Sequence, residues 1–112
     1  MGSEKLKLSV TVVLLSLLPF VGSAQKQRVW IDTDIMIGKF KHDVDDGLAL
    51  IMLLKDTNLI IEGISFVHGV DYAEKVTHRL LDRYAPSLEI PTYKGADDST
   101  EFGVETPAVA AL

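Results

Sequence analysis

The chain has 112 residues, 47% of them hydrophobic, with no cysteine and a formal charge of -5. The absence of cysteine excludes disulfides, thiolate nucleophiles and Cys-based zinc sites together. A net negative chain is poorly suited to a polyanion, which argues against nucleic acid as a partner, and the length suits one small domain.

Lys5 and Lys7 precede an apolar run, Leu8 to Val21, which is followed by the small residues Gly22, Ser23 and Ala24. A basic start, an apolar stretch and a small-residue boundary predict a secretory signal peptide over residues 1–24, cut before Gln25. The run is too short to span a bilayer, which takes roughly 20 residues, so no stable membrane anchor is expected after cleavage. The expected location is exported, periplasmic or extracellular. Loss of Lys5 and Lys7 with Glu4 leaves the mature chain more negative.

Arg28 to Asp32 reads as a strand too apolar for an exposed edge, and Ile35 to His42 as an irregular segment. Asp43 is placed to cap a helix from about Val44 to Lys55, with Asp45 and Asp46 in its first turn, where the macrodipole favours negative charge. That helix is apolar on most faces and is expected to be buried. Leu59 to Val67 suits a strand buried on both faces, ended by His68 and Gly69. Asp71 followed by Glu74 resembles a capping box. Tyr72, Val76, Leu80 and Tyr84 then recur along one face of a helix that ends before Pro86. Ile90 to Tyr93 reads as a third strand, and Ala96 to Leu112 as a polar loop with an apolar tail.

The order β-α-β-α-β with helix-length connections predicts an α/β fold with a doubly wound, Rossmann-like parallel sheet. In such sheets ligands bind beyond the carboxyl ends of the strands, where Asp32 and Asp34, His68 and Gly69, and Lys94 and Gly95 fall. Two acids at a helix start are favourable without a ligand. Asp32 and Asp34 at the same rim as Asp45 and Asp46, however, form a carboxylate cluster that repels itself unless a cation or proton intervenes, and calcium or magnesium is the natural cation.

The runs VWIDTD, DVDDGLALIMLL, GISFVHG and IPTYKGAD, in this order and spacing, resemble the N-terminal third of the inosine-uridine nucleoside hydrolases over Val29 to about Asp97. That family shows a strand ending in D-[TC]-D, a Pro-Gly turn and D-D-A opening a helix. The resemblance implies calcium-dependent hydrolysis of the N-glycosidic bond of nucleosides or related N-ribosides. By match, Asp34 and Asp46 would ligate calcium, Asp32 would support that metal network, and Asp45 would bind the ribose hydroxyls. Asp34 would also help deprotonate the attacking water, its catalytic role, while the carboxylates stabilise an oxocarbenium-like sugar. The expected partner is a small-molecule nucleoside or N-riboside, and the parent is compatible with a homo-oligomer.

The chain departs from the family pattern in three places. The short Pro-Gly turn is replaced by Ile35 to Val44, a length that loop-closure entropy tolerates. On this insertion Lys39, Lys41 and His42 are expected to be solvated, the alternative being that they fold over the site. The family's Asn after the second-strand Gly is Val70 here. The family fold is far longer and supplies further calcium ligands and a leaving-group His from beyond the point matching Leu112, so the chain is expected to be a fragment with an incomplete site. His68 is expected to pack at a strand end and His78 to lie on an exposed helix face. Two rival readings are an exported calcium- or sugar-binding module without activity and a haloacid-dehalogenase-type phosphatase using Asp32 and Asp34.

Overall fold

A computed structural model describes residues 2–5, 7 and 24–112. Most of the expected signal peptide therefore lies outside the described residues. No helix among the described residues is long and apolar enough to cross a membrane.

The described fold is an α/β unit with a three-stranded, all-parallel sheet in the order β1-β2-β3, formed by Gln27–Thr33, Leu59–Phe66 and Thr92–Lys94. The connections are two helices, α1 (Asp45–Lys55) and α2 (Val70–Tyr84), which pack against each other. Both cover the sheet face that carries Ile64 and Phe66. Leu50 and Leu54 of α1, Val70, Ala73, Val76 and Leu81 of α2, and Ile35 close a single core with these two strand residues. The opposite face bears Trp30, Ser65 and Tyr93, and a short helix α3 (Pro107–Ala111) reaches β3.

Pairing continues past the assigned strands at the carboxyl rim. Val67 N–H donates to Thr33 O at 3.1 Å, Gly95 N–H to Phe66 O at 2.8 Å and His68 N–H to Ala96 O at 3.1 Å. The loops after all three strands are thereby laced together. A side chain placed on any of them inherits the rigidity of the sheet.

Several expectations are corrected by the packing. β1 is the edge strand of the described sheet although Val29, Trp30 and Ile31 are half-buried, because its apolar side chains point to the two faces and carry no information about the edge. In α1 only Gly47, Leu50 and Leu54 are buried, while Leu48 and Met52 are 53% and 74% exposed; one helix face meets the sheet however apolar the others are. β2 is buried on both faces only from Gly63 onward. β3 begins two residues later than expected, since Pro91 has no N–H to give the ladder and contributes only its carbonyl, which accepts from Ile64 N–H at 3.0 Å.

The caps differ as well. Val44 occupies the N-cap of α1 without a side-chain bond, so Asp43 does not cap it. Gly69 is the N-cap of α2, and the expected capping box between Asp71 and Glu74 does not form, because both acids turn to Lys94, at 2.7 and 3.3 Å. The orphan N–H of Val70 is instead satisfied from a distance, by Asp97 Oδ1 at 3.0 Å.

Among the described residues, Thr77 Oγ1 is the buried side-chain polar atom left without a partner, inside α2 at 0% exposure. An unsatisfied buried hydroxyl costs about 1–3 kcal/mol. Thr77→Val keeps the branched shape and removes the hydroxyl, so it is expected to stabilise the chain by about 1 kcal/mol, read as a rise in the thermal midpoint. A midpoint at or below that of the wild type would show that the hydroxyl finds a partner in solution.

Candidate functional site

Local sequence brings the two acidic clusters together through one bond. β1 ends at Thr33, between Asp32 and Asp34, and Thr33 is 7% exposed with its side chain on the helix-covered face. Its hydroxyl donates to Asp46 Oδ2 at 2.6 Å, and the N–H of Asp34 reaches the same oxygen at 3.3 Å. Asp46 lies in the first turn of α1, so one carboxylate joins the strand end to the helix start across the whole insertion. The Thr33 hydroxyl is the main reason that the Asp46 carboxyl is held below its usual 3.8; partial burial opposes the shift and Asp34 adds to it.

Around this bond lies a polar crevice of about 180 Å³ lined by Asp34, Met36, His42, Asp43, Asp45 and Asp46. Three of the four expected aspartates therefore share a crevice at the carboxyl rim of the sheet. The fourth does not join them. Asp32 is on the opposite sheet face, where its carboxylate accepts from Ser65 Oγ at 2.5 Å, while Ser65 Oγ accepts from Trp30 Nε1 at 2.9 Å. Trp30 also stacks on Tyr93, with ring centroids 5.3 Å apart and planes 18° from parallel. The indole needs Gly63 of β2 beneath it, because a Cβ there would lie 2.7 Å from the Trp30 ring. Asp32 thus belongs to a second cavity of about 360 Å³, whose walls include Trp30, Ser65, Val67, Phe102 and Leu112. Two residues apart on a continuing strand the two acids would share a face; because β1 stops at Thr33, between them, Asp34 turns to the crevice while Asp32 stays with Ser65.

The other rim residues divide in the same way. His68 and Gly69 have φ of 58° and 63°, two consecutive left-handed residues that swing the chain from β2 into α2. The His68 side chain is exposed, so the expected strand-end packing is corrected: a left-handed backbone at this position turns it outward. Lys94 is drawn back to α2, and its ammonium is held above the usual 10.5 first by Asp71 and then by Glu74. His78 is exposed, as expected for it, and Nε2 lies 3.0 Å from Thr92 Oγ1.

The insertion is only partly solvated. Ile35 and Met36 are buried at 0% and 6%, Phe40 is 85% exposed, and His42 and Asp43 line the crevice. Those last two are the site residues that sequence reasoning undervalued. The available sign was the apolar Ile35, Met36 and Ile37 at the start of the insertion, which anchors a segment that polarity alone assigns to solvent.

Hard carboxylate oxygens suit calcium better than they suit a soft transition metal. Among the described residues no group of three or more His, Asp or Glu side chains is drawn close enough to hold a metal ion as it stands. Asp46 already spends Oδ2 on Thr33 and Asp34, whereas Asp34 and Asp45 are exposed. Chemically the crevice can concentrate a cation, orient a polyol by accepting its hydroxyl protons, and place negative charge beside a developing carbocation. Comparison with protein-family models, with curated proteins and with solved structures returned no match.

Proposed function

We propose that the carboxylate crevice is the metal and sugar half of a calcium-dependent N-ribohydrolase site, in the manner of the nucleoside hydrolases. The observation that carries this reading is the Thr33–Asp46 hydrogen bond of 2.6 Å, which unites the D-x-D and D-D clusters despite the insertion and leaves Asp34, Asp45 and Asp46 facing one crevice. The sequential strand order, with both helices on one face, is what one half of a doubly wound, Rossmann-like sheet looks like, and the site stands at its carboxyl rim. Export of the mature chain from residue 25 belongs to the same proposal.

In this reading Asp34 and Asp46 hold the ion and Asp45 accepts from the ribose hydroxyls. Calcium, when bound, supplies positive charge that acidifies a neighbouring water. Asp34, exposed at the strand end, takes up the proton of the attacking water. The negative crevice favours positive charge on the sugar as the bond to the base breaks. Asp32 acts from behind: tied to Ser65, to which Trp30 also donates, it fixes the end of β1 and so the direction in which Asp34 leaves the sheet. Two carboxylates meet only part of the six to eight oxygens calcium takes.

Thermal denaturation of the mature chain in rising calcium tests the proposal. Binding to the folded state alone adds about 2.7 kcal/mol at a ligand concentration one hundred times Kd, so the midpoint is expected to climb through the millimolar range. Release of nitrophenol from 4-nitrophenyl riboside, with none from 4-nitrophenyl phosphate in magnesium, is the matching activity readout. An unchanged midpoint in millimolar calcium sinks the metal site. The opposite substrate preference would favour a phosphatase built on Asp32 and Asp34.

A further inference from the structure

The geometry points to the insertion as a fixed wall of the crevice, with Tyr72 as the positioning residue that holds it and His42 and Asp43 as the groups it presents to the sugar hydroxyls of an N-riboside. This inference rests on the N-ribohydrolase reading and deepens it.

Three independent contacts fasten the segment. Tyr72, in the first turn of α2, donates from its hydroxyl to Ile37 O at 3.1 Å, and its ring lies 5.7 Å from Lys39 Nζ, a cation-π distance. Ile37 packs where a Cβ on Gly47 of α1 would come within 2.9 Å of it, so the glycine makes room for the insertion. Met36 occupies the corresponding space over Gly69, at the N-cap of α2.

The chain then reverses. Gly38 has φ of 87°, Lys39 N–H donates to Met36 O at 3.1 Å, His42 N–H to Lys39 O at 3.2 Å, and Lys41 is left-handed at φ 64°. Successive turns bring His42 and Asp43 back to the crevice that Asp34, Asp45 and Asp46 also line. An imidazole and a carboxylate on adjacent residues supply a donor-acceptor set suited to vicinal hydroxyls, in the crevice that the ion-holding carboxylates also line.

The test uses trypsin cleavage after Lys39 and Lys41, both exposed, as a reporter of the segment, and D-ribose with calcium as the probe. Tyr72→Phe keeps the ring and deletes one hydrogen bond, and is expected to raise the cleavage rate about fivefold. It should also weaken D-ribose protection of these sites while leaving the calcium-induced rise in midpoint as in the wild type. His42→Ala, a change on an exposed residue, is expected to leave the basal cleavage rate within twofold and to lose the ribose protection. Cleavage of Tyr72→Phe at the wild-type rate overturns the clamp, and undiminished ribose protection in both variants overturns the sugar contact. Failure of the underlying reading shows separately, as a wild-type midpoint indifferent to calcium, and that result removes the sugar contact even if Tyr72→Phe is cut faster.

Discussion

Asp46→Asn is expected to lower stability by about 1–2 kcal/mol at neutral pH and to abolish the calcium-dependent rise in midpoint. Asp46 Oδ2 accepts from the Thr33 hydroxyl at 2.6 Å and from Asp34 N–H at 3.3 Å, and Thr33 is 7% exposed. An amide in its place weakens two charge-assisted hydrogen bonds and removes a negative charge from the first turn of α1, where the helix dipole favours one. The midpoint should fall by roughly 4–8 °C for each kcal/mol in a domain of this size.

The loss has a definite pH dependence. The folded-state pKa of Asp46 is depressed below 3.8, chiefly by the Thr33 hydroxyl, so its contribution is fully present above that value. It shrinks as pH falls below 3.8 and is gone once pH passes below the folded-state pKa. The stability difference between wild type and Asp46→Asn should therefore be flat across neutral pH and close in acid. A gap that stays constant down to the acid limit would mean that the shape of the carboxylate matters and its charge does not.

Thr33→Val separates structure from ligation. It deletes the same hydrogen bond and leaves the carboxylate, so it should cost a similar stability at neutral pH yet retain the calcium response. If both variants lose that response, the junction between strand and helix is what calcium requires, and Asp46 is not itself a ligand.

Gly95→Ala is the second large effect, about 3 kcal/mol of destabilisation and a fall in midpoint of roughly 10–25 °C. A Cβ at this position would lie 2.6 Å from Phe66 O, the carbonyl that accepts from the N–H of Gly95 itself at 2.8 Å. The obstacle is paired backbone at the rim of the sheet, so no rotamer relieves it. Separating the end of β3 from β2 also strains the bonds from His68 N–H to Ala96 O and from Val70 N–H to Asp97 Oδ1, which hold the rim loops and the start of α2.

Gly47→Ala gives the contrast. There the near atoms belong to the side chain of Ile37: Cδ1 at 2.9 Å can rotate away, whereas Cβ at 3.0 Å yields only if the insertion shifts, a cost partly offset because alanine in a helix gains about 1 kcal/mol over glycine. A smaller loss for Gly47→Ala than for Gly95→Ala is the expected pair of melting curves. Equal midpoints for Gly95→Ala and wild type would show that β3 is not bound to β2 at Gly95.

Hydrophobic periodicity and turn residues were sufficient for the element order, since α1, β2 and α2 occur within a residue or two of where local patterning places them. Local pattern also placed Asp34, Asp45 and Asp46 at a carboxyl rim, because a strand end and a helix start are local events. Which side of the sheet each acid serves was not local. Asp32 and Asp34 differ only by the residue at which β1 stops pairing, and that is set by β2 through the register of Asp32 with Ser65 and Thr33 with Phe66. The cap of α2 likewise came from Asp97, a residue 27 positions on that no capping pattern near Gly69 announces. The insertion shows the same division most clearly. Its composition reads as solvent-exposed loop, but Gly47, Gly69 and Tyr72 lie on two different helices, and only their packing into one fold makes the seats that hold Ile37, Met36 and hence His42 against the crevice.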